Sequence, residues 1–220
     1  ITADLVFWSM PAFPDLPAEL VGAPIVIIAG LYAGPADVGE RMLQPLREFA
    51  TPLIDLSHAG PYVSHQSAFD PFFPDTQRYY WKSIFADHLT DDVIDATIAL
   101  AAEIPSTETL FALRGLGGAM GRVPEDATAY SNRAANYNLS LDTTWQSPDD
   151  DARMIAWTRE AWSRVHALTG GGVYLNFAGL GEENDTLAHA GYGSNYDRLQ
   201  HVKRRYDPTN LFRTNVNIKP

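Results

Sequence analysis

Residues 137–145 read YNLSLDTTW, and this stretch decides the fold that we predict. Its residues alternate between two sets, which is the side-chain period of a β-strand. The first set is Tyr137, Leu139, Leu141, Thr143 and Trp145, and the second set is Asn138, Ser140, Asp142 and Thr144. Because the first set is mostly apolar and the second is polar, the stretch predicts a strand with one buried and one polar face, as antiparallel sheets often have.

A second strand with the same alternation is predicted over Gly172–Phe177. This pattern would turn Tyr174 and Asn176 to the polar face of the sheet. The opposite face, toward the helices, would receive Val173, Leu175 and Phe177. The polar face either meets solvent or covers a ligand or another domain, and periodicity alone leaves both possibilities open.

Strands and helices are mixed in the rest of the chain. Further strands are predicted at Asp4–Trp8, Pro24–Tyr32, Pro52–Leu56, Arg78–Ile84 and Thr109–Arg114. Helices are predicted after Pro35, after a Thr90 cap, from Asp149–Asp151 to Gly170, and from about Asn195 to Tyr206. The core face of the helix after Thr90 is predicted to include Val93, Ile94, Ile98 and Ala101. Since no strict strand–helix–strand rhythm appears, we predict an α+β fold, an antiparallel β-sheet with helices packed on one face.

The composition narrows the classes of function. With 27 acidic and 16 basic residues the formal net charge is -11, which argues against a nucleic-acid or an anionic-membrane partner. The longest apolar runs, such as Ala23–Ala33, are too short to span a bilayer. No cysteine is present and the six histidines form no HxH or HExxH pattern, so we predict neither a disulfide nor a metal site. The glycines at 115–118 lack the lysine and spacing of a phosphate loop, which favours a tight turn.

Several segments resemble the berberine-bridge-enzyme-like FAD-linked oxidases, which are flavoproteins of the vanillyl-alcohol-oxidase type. The C-terminal signature of that family is matched by Gly172-Val-Tyr-Leu-Asn-Phe177, Tyr192-Gly-Ser-Asn-Tyr196 and the stretch from Lys203 to Ile218. Pieces similar to the substrate domain of bacterial members are Pro61-Tyr-Val, Arg78-Tyr-Tyr-Trp-Lys-Ser83 and the stretch from Gly117 to Tyr130. The likeness covers nearly the whole chain, and the final signature is its specific part.

The resemblance implies a parent protein of two domains. In the family, an N-terminal domain holds FAD, often covalently, and a second domain with an antiparallel sheet roofs the isoalloxazine. Residues 1–220 are similar to that second, substrate-binding domain, with the C-terminal segment at about 172–220. We therefore expect the FAD-binding domain and its anchor residues to precede Ile1, and we expect that domain and a small-molecule substrate to be the partners.

The resemblance also implies roles for individual residues around the flavin. Tyr174 matches the tyrosine of the family's YxN motif, which takes the substrate hydroxyl proton in several members. Asn176 matches the asparagine of that motif and is expected to bind the flavin. The tail residues Asn215 and Asn217 are expected to reach back to the flavin as well.

Two residues at the start of the first strand are expected to contact substrate. Asn138 falls where many family members carry an acidic residue or a tyrosine. Because an amide cannot act as a base, Asn138 can orient substrate at most. Tyr137 would reach the substrate from the beginning of the strand.

The expected activity is oxidation of an alcohol-like substrate by hydride transfer to flavin N5, with oxygen as electron acceptor. A sugar, a secondary alcohol and a more complex natural product all remain open as substrates. We expect the 220-residue chain alone to be inactive, because the redox centre would lie outside it. The alternative is a non-enzymatic binding or interaction domain that keeps the fold. An uncovered sheet face would also favour a homo-oligomer of this chain.

Overall fold

The computed structural model describes residues 1–12, 17–179, 181, 185–214 and 216–220. Its strands are β1 (Thr2–Ser9), β2 (Pro24–Leu31), β3 (Arg78–Ala86), β4 (Leu110–Gly115) and β5 (Tyr137–Trp145). They form a five-stranded antiparallel sheet in the order β2-β1-β4-β5-β3. The predicted α+β fold is confirmed, and β5 has the bounds that its alternation predicts.

Two of the predicted strands are wrong. Pro52–Leu56 lies in an exposed loop, where the carboxylate of Asp55 accepts a hydrogen bond from the Ser57 backbone N–H at 2.9 Å and turns the chain. The segment Gly172–Phe177 is irregular and ends in a 3₁₀ turn over Leu175–Phe177. It follows the outer edge of β3 instead of extending the sheet.

The helices are α1 (Ala36–Phe49), α2 (Tyr62–Gln66), α3 (Asp91–Ala102), α4 (Gly118–Gly121), α5 (Asp151–Thr169), α6 (Asp185–Tyr192) and α7 (Tyr196–Tyr206). The predicted cap of α3 is present, because the Thr90 hydroxyl accepts a hydrogen bond from the Val93 N–H at 3.4 Å. The predicted stop of α5 is present too, because Gly170 adopts a left-handed conformation with φ of 61°. The sequence did not predict α2, α4 or α6.

The main hydrophobic core lies between the sheet and the helices α3 and α5. From β5 it receives Leu139 and Leu141, which are fully buried as predicted. Ala161 and Val165 of α5 pack against them. Each fully buried leucine of this kind stabilises the fold by roughly 1.5–3 kcal/mol relative to an exposed one.

The buried face of α3 agrees with the prediction at Val93 and differs from it at Ile94 and Ile98. Val93, Thr97 and Leu100 are buried, whereas Ile94 and Ile98 are 41% and 53% exposed. The observed set Val93, Thr97 and Leu100 and the predicted set Ile94, Ile98 and Ala101 both have helical spacing, so the spacing alone did not choose between them. Thr97 can be buried because its hydroxyl donates a hydrogen bond to the Val93 carbonyl at 2.7 Å, which satisfies the polar group inside the helix.

The apolar residues of α1 are largely uncovered. Met42, Leu46 and Phe49 are 43%, 38% and 85% exposed, and Leu53 and Leu56 in the following loop are exposed as well. Such a surface is typical of a contact with another protein or domain. Association of this chain with itself stays a prediction.

Candidate active site

The face of the sheet opposite α3 and α5 carries the side chains that could take part in chemistry. We call it the open face because α3 and α5 pack on the other side of the sheet, although most of its side chains are buried. Its residues come from alternate positions of three strands: Trp81, Ser83 and Phe85 of β3, Ala112 and Arg114 of β4, and Asn138, Ser140 and Asp142 of β5. The polar set predicted for β5 therefore lies on the side away from the helices.

Aromatic rings run along the open face in a chain of edge-to-face contacts. Trp81 contacts Phe177 with 5.6 Å between ring centroids, and Phe177 contacts Tyr174 at 5.2 Å. Tyr174 in turn meets Phe85 at 6.3 Å and Tyr130 at 6.2 Å. A surface of such rings is a suitable platform for a flat ligand, and it is unlike the purely solvated face that periodicity had left open.

Tyr174 is held at the outer edge of β3 by backbone bonds. The Phe85 N–H donates to the Gly172 carbonyl at 2.9 Å, and the Tyr174 N–H donates to the Ser83 hydroxyl at 3.1 Å. The 3₁₀ turn that follows is closed by the Phe177 N–H, which donates to the Tyr174 carbonyl at 2.9 Å. These bonds fix the backbone from which the phenol ring projects.

The same turn corrects the predicted orientation of Phe177. A strand would have placed Tyr174 and Phe177 on opposite faces, with Phe177 toward the helices. In a 3₁₀ turn the side chains three residues apart lie above one another, so both rings share the open face. Val173 is buried.

Tyr174 and Asn176 are brought together by this local structure. The amide Nδ2 of Asn176 donates a hydrogen bond to the Tyr174 hydroxyl oxygen at 2.9 Å. Asn176 is exposed and Tyr174 is half-buried, so the hydroxyl lies at the boundary between the aromatic cluster and the outside. A cavity of about 130 Å³ opens beside the pair and is also lined by Phe85 and Tyr130.

Asn138 lies deeper in the open face, between Arg114 of β4 and Phe85 of β3 in the strand register. It is buried, and its Nδ2 donates to the Ile84 carbonyl at 3.4 Å. Its neighbour Tyr137 projects to the other face, where it packs against the helix-side core. The structure thus brings Asn138 and Tyr174 to one side of the sheet and separates Tyr137 from them.

Of the two tail residues predicted to reach the flavin, only Asn217 lies within the described residues. Asn215 lies outside the described residues. Asn217 is half-buried, and its amide oxygen has no hydrogen-bond partner within the described part of the chain. The tail is anchored by Asp207, whose carboxylate accepts hydrogen bonds from the backbone N–H groups of Leu211 at 2.7 Å and Phe212 at 3.0 Å.

Sequence reasoning missed a charged network on the open face. Arg114 donates to the Ser140 hydroxyl at 2.5 Å and to Asp142 Oδ2 at 3.4 Å. Burial raises the pKa of the Asp142 carboxyl, and the Arg114 charge opposes that shift. Burial likewise raises the pKa of Asp4, which faces Arg114 across the register of β1 and β4. The signal for this network was an arginine in the otherwise apolar strand Leu110–Gly115.

In the part of the chain that the structure describes, no cluster of three or more histidine, aspartate or glutamate side chains could hold a metal ion. None of the helices described there is both long and apolar enough to cross a membrane. The glycines at 117 and 118 have φ values of 97° and 55°, as a tight turn requires.

Comparisons with known proteins give a consistent set of relatives. Residues 173–219 match a family model described as berberine and berberine like. An FAD-linked oxidoreductase of Dictyostelium discoideum is 24% identical over 213 residues, which are 94% of this chain and 46% of that protein. An aclacinomycin-N/aclacinomycin-A oxidase of Streptomyces galilaeus is 32% identical over 124 residues, which are 49% of this chain and 23% of that protein.

A solved structure shares the fold. The structure of BBE-like #28 from Arabidopsis thaliana matches 99% of this chain and 50% of that chain, with a TM-score of 0.73 and 18% sequence identity. The chain also spans only about half the length of the curated relatives it matches, for example 46% of the Dictyostelium protein. The likeness in structure therefore concerns one half of a longer architecture.

Proposed function

Since the chain is a berberine-bridge-enzyme-like relative of the FAD-linked oxidases, we propose that residues 1–220 are the substrate-binding domain of an FAD-dependent oxidoreductase. Within it, the segment at about 172–220 contributes the residues that meet the flavin. The parent protein oxidises an alcohol-like substrate, a sugar, a secondary alcohol or a natural product, and passes electrons to oxygen. The FAD-binding domain of the same protein is the partner of the open face.

The residues on the open face fit a flavin by their chemistry. An isoalloxazine has broad apolar faces and a polar edge that both donates and accepts hydrogen bonds. Aromatic rings such as Phe177 and Tyr130 suit the faces, and the exposed amide of Asn176 suits the edge. The amide oxygen of Asn217, which lacks a partner among the residues described, suits a ring N–H.

One observation carries the proposal: the Tyr174 hydroxyl is held by Asn176 at 2.9 Å within an aromatic cluster on the open face. A bound flavin supplies the acceptor for the hydride that leaves the substrate C–H bond. In its deprotonated, phenolate form, Tyr174 accepts the proton of the adjacent substrate O–H, so that the C–O bond becomes a carbonyl and Tyr174 becomes a neutral phenol. Asn176 keeps the phenolate oxygen in place by donating a hydrogen bond to it while it takes that proton.

Asn138 takes a supporting role in this proposal. Its amide cannot remove a proton, and its Nδ2 already donates to the Ile84 carbonyl. The remaining amide oxygen can accept a hydrogen bond from a second substrate hydroxyl and so orient the sugar or alcohol. Tyr137 has no part in the substrate site that we propose, because it packs on the helix side of the sheet.

The test is to express the whole coding sequence that contains this chain and to record its visible absorption spectrum. We expect bound flavin, and we expect it to be bleached anaerobically by one of three probe classes: reducing oligosaccharides, secondary alcohols or glycosylated aromatic natural products. The 220-residue chain, prepared in parallel, should bind no flavin. A full-length protein without flavin would contradict the proposal and favour a non-enzymatic binding domain.

A further inference from the structure

We propose that Arg114 is a positioning residue for Tyr174 and that it acts through the ring of Phe177. The proposal rests on the proposed function, in which Tyr174 accepts the substrate hydroxyl proton. Arg114 lies on a different strand from the segment that carries Tyr174, and the two are linked by consecutive contacts.

The guanidinium of Arg114 is fixed by β5. Nη1 donates to the Ser140 hydroxyl at 2.5 Å and Nη2 donates to Asp142 Oδ2 at 3.4 Å, so the side chain runs back along the sheet from its own register partner Asn138. Ala112, two residues earlier on the same face, is small enough to leave this path open. A guanidinium held by two bonds has little rotational freedom left.

The ring of Phe177 rests on that guanidinium. The Arg114 Cζ lies 5.0 Å from the ring centroid, which is within the range of a cation–π contact. The indole of Trp81 meets the same ring edge-to-face at 5.6 Å. Phe177 is therefore held from two sides before it reaches Tyr174.

The phenol of Tyr174 packs directly against the ring of Phe177. Their rings meet at 5.2 Å with an interplanar angle of 86°, and the backbone N–H of Phe177 closes the turn on the Tyr174 carbonyl. Asn176 fixes the hydroxyl, but it is exposed and belongs to the same turn. One support for the reacting hydroxyl thus comes from the sheet through Arg114 and Phe177, beside the direct ring contacts of Tyr174 with Phe85 and Tyr130. A displacement of about 1 Å at a reacting group can slow a reaction about 100-fold.

Removing the Arg114 charge altogether is an unsuitable test, because Asp142 is buried and Asp4 also faces the guanidinium. An uncompensated carboxylate there can unfold the protein. Arg114→Lys keeps the positive charge and loses the two-pronged attachment to Ser140 and Asp142. Phe177→Leu removes the ring and leaves every charge in place.

The experiment is a double-mutant cycle in the flavin-loaded full-length protein, with the limiting rate of flavin reduction at saturating substrate as the readout. We expect Arg114→Lys to slow that rate about 5- to 10-fold and Phe177→Leu about 10-fold or more. The double variant should be no slower than Phe177→Leu alone, because the effect of Arg114 passes through the ring. The matched control is Arg159→Lys, the same change at an arginine that lies 5.6 Å from the Tyr80 ring on the helix side.

The proposal would be overturned if the double variant were slower than Phe177→Leu by the full factor that Arg114→Lys causes alone. An Arg114→Lys variant that weakens apparent substrate affinity and leaves the limiting rate unchanged would overturn it as well. These results differ from failure of the proposed function, which would appear as an unchanged rate in Tyr174→Phe.

A second measurement does not depend on activity. In protein labelled with 3-fluorotyrosine, the ¹⁹F resonance that disappears in Tyr174→Phe reports the environment of that ring. We expect Phe177→Leu and Arg114→Lys to shift this resonance, and we expect Arg159→Lys to leave it in place. A Tyr174 resonance that does not move in Arg114→Lys would overturn the proposal even if the rates changed.

Discussion

The amide of Asn176 donates a hydrogen bond to the hydroxyl of Tyr174 at 2.9 Å, across a 3₁₀ turn that brings the two side chains together. A donor in this place stabilises the negative charge that the oxygen carries in its phenolate form, which is the form that accepts a proton. In the proposed function the pair therefore acts as one unit, and its two members can be tested separately.

Replacing Asn176 by alanine should slow flavin reduction by up to about tenfold. One hydrogen bond contributes roughly 0.5–1.5 kcal/mol, and about 1.4 kcal/mol corresponds to a factor of ten in rate. The measurement is anaerobic stopped-flow reduction with the substrate that bleaches the wild-type flavin. Asn136→Ala is the control, because Asn136 is also exposed and donates through its amide, to the Asp87 carbonyl at 2.8 Å. Equal rates in the two variants would remove Asn176 from the site.

Two residues of α3 distinguish its observed face from the predicted one. Leu100 is 1% exposed and Ile98 is 53% exposed. Leu100→Ala should lower the free energy of unfolding by about 2–5 kcal/mol, because it leaves a cavity in the core. Ile98→Ala should cost about 0.5 kcal/mol, as expected of a surface change. Urea unfolding of both variants gives the comparison, and a larger loss at Ile98 would show that the helix faces the other way.

The strand pattern was predictable where a strand is supported from both sides. β5 has neighbouring strands on both edges and a helix layer on one face. The strand predicted from its alternation therefore agrees with the observed strand over the whole of Tyr137–Trp145. The segment Gly172–Phe177 has the same alternation but lies outside the edge strand β3, where a turn costs no sheet hydrogen bonds. The buried face of α3 could not be predicted because two sets of residues with helical spacing lie one residue apart on the helix. Thr97 is buried in place of Ile98 because its hydroxyl is satisfied by a hydrogen bond to the helix backbone.

The start of α5 should depend on Asp151. Its carboxylate accepts hydrogen bonds from Arg78 at 2.5 and 2.6 Å and from the Trp145 indole at 2.9 Å. The bond from Arg78 is the main reason that the pKa of Asp151 lies below its usual range. A lowered pKa in the folded state adds stability above the unfolded pKa of about 3.9, and this stability is lost as the pH falls through the folded value.

Asp151→Asn should therefore lower the thermal midpoint at pH 7, and the difference from the wild type should shrink as the pH falls below about 4. Asp149→Asn removes the same charge near the same helix end, where the carboxylate is exposed, and should have little effect. Thermal unfolding followed by circular dichroism over this pH range is the measurement. A difference in thermal midpoint between Asp151→Asn and the wild type that stays equally large at low pH would contradict this prediction.

The tail should be released by a change at Asp207. Its carboxylate forms an ion pair with Lys203 and accepts hydrogen bonds from the backbone N–H groups of Leu211 and Phe212. The hydrogen bond from Lys203 is the main cause that lowers the pKa of Asp207, so the anchor holds above the unfolded pKa of about 3.9 and weakens only as the pH falls through the lowered value.

Asp207→Asn should expose the tail to cleavage after Arg213 by trypsin at neutral pH. The rate of that cleavage should rise several-fold, because the backbone around the site must leave its bonds to be cut. Asp197→Asn, an exposed acidic change on the same helix α7, is the control and should be cut as slowly as the wild type. Equal cleavage of both variants would mean that Asp207 does not hold the tail.

The candidate site was predictable only in its sequence-local parts. The spacing of Tyr174 and Asn176 identified the pair, but a strand was expected where a turn joins them. The partnership of Arg114 with Asp142 could not be read from sequence, because 28 residues separate them and only the register of β4 and β5 brings them together. Long-range pairs of this kind depend on the order of strands, which the chain's alternation does not specify.

The proposed role of Tyr174 as proton acceptor is tested most directly by rapid mixing of the anaerobic, flavin-loaded full-length protein with substrate. Tyr174→Phe keeps the ring contacts with Phe85, Phe177 and Tyr130 and removes only the hydroxyl. The control is Tyr206→Phe, at a tyrosine that is 72% exposed on α7. We predict that Tyr174→Phe reduces its flavin about 10²- to 10⁴-fold more slowly than the wild type while the control is unchanged. Reduction of Tyr174→Phe at the wild-type rate would contradict the account.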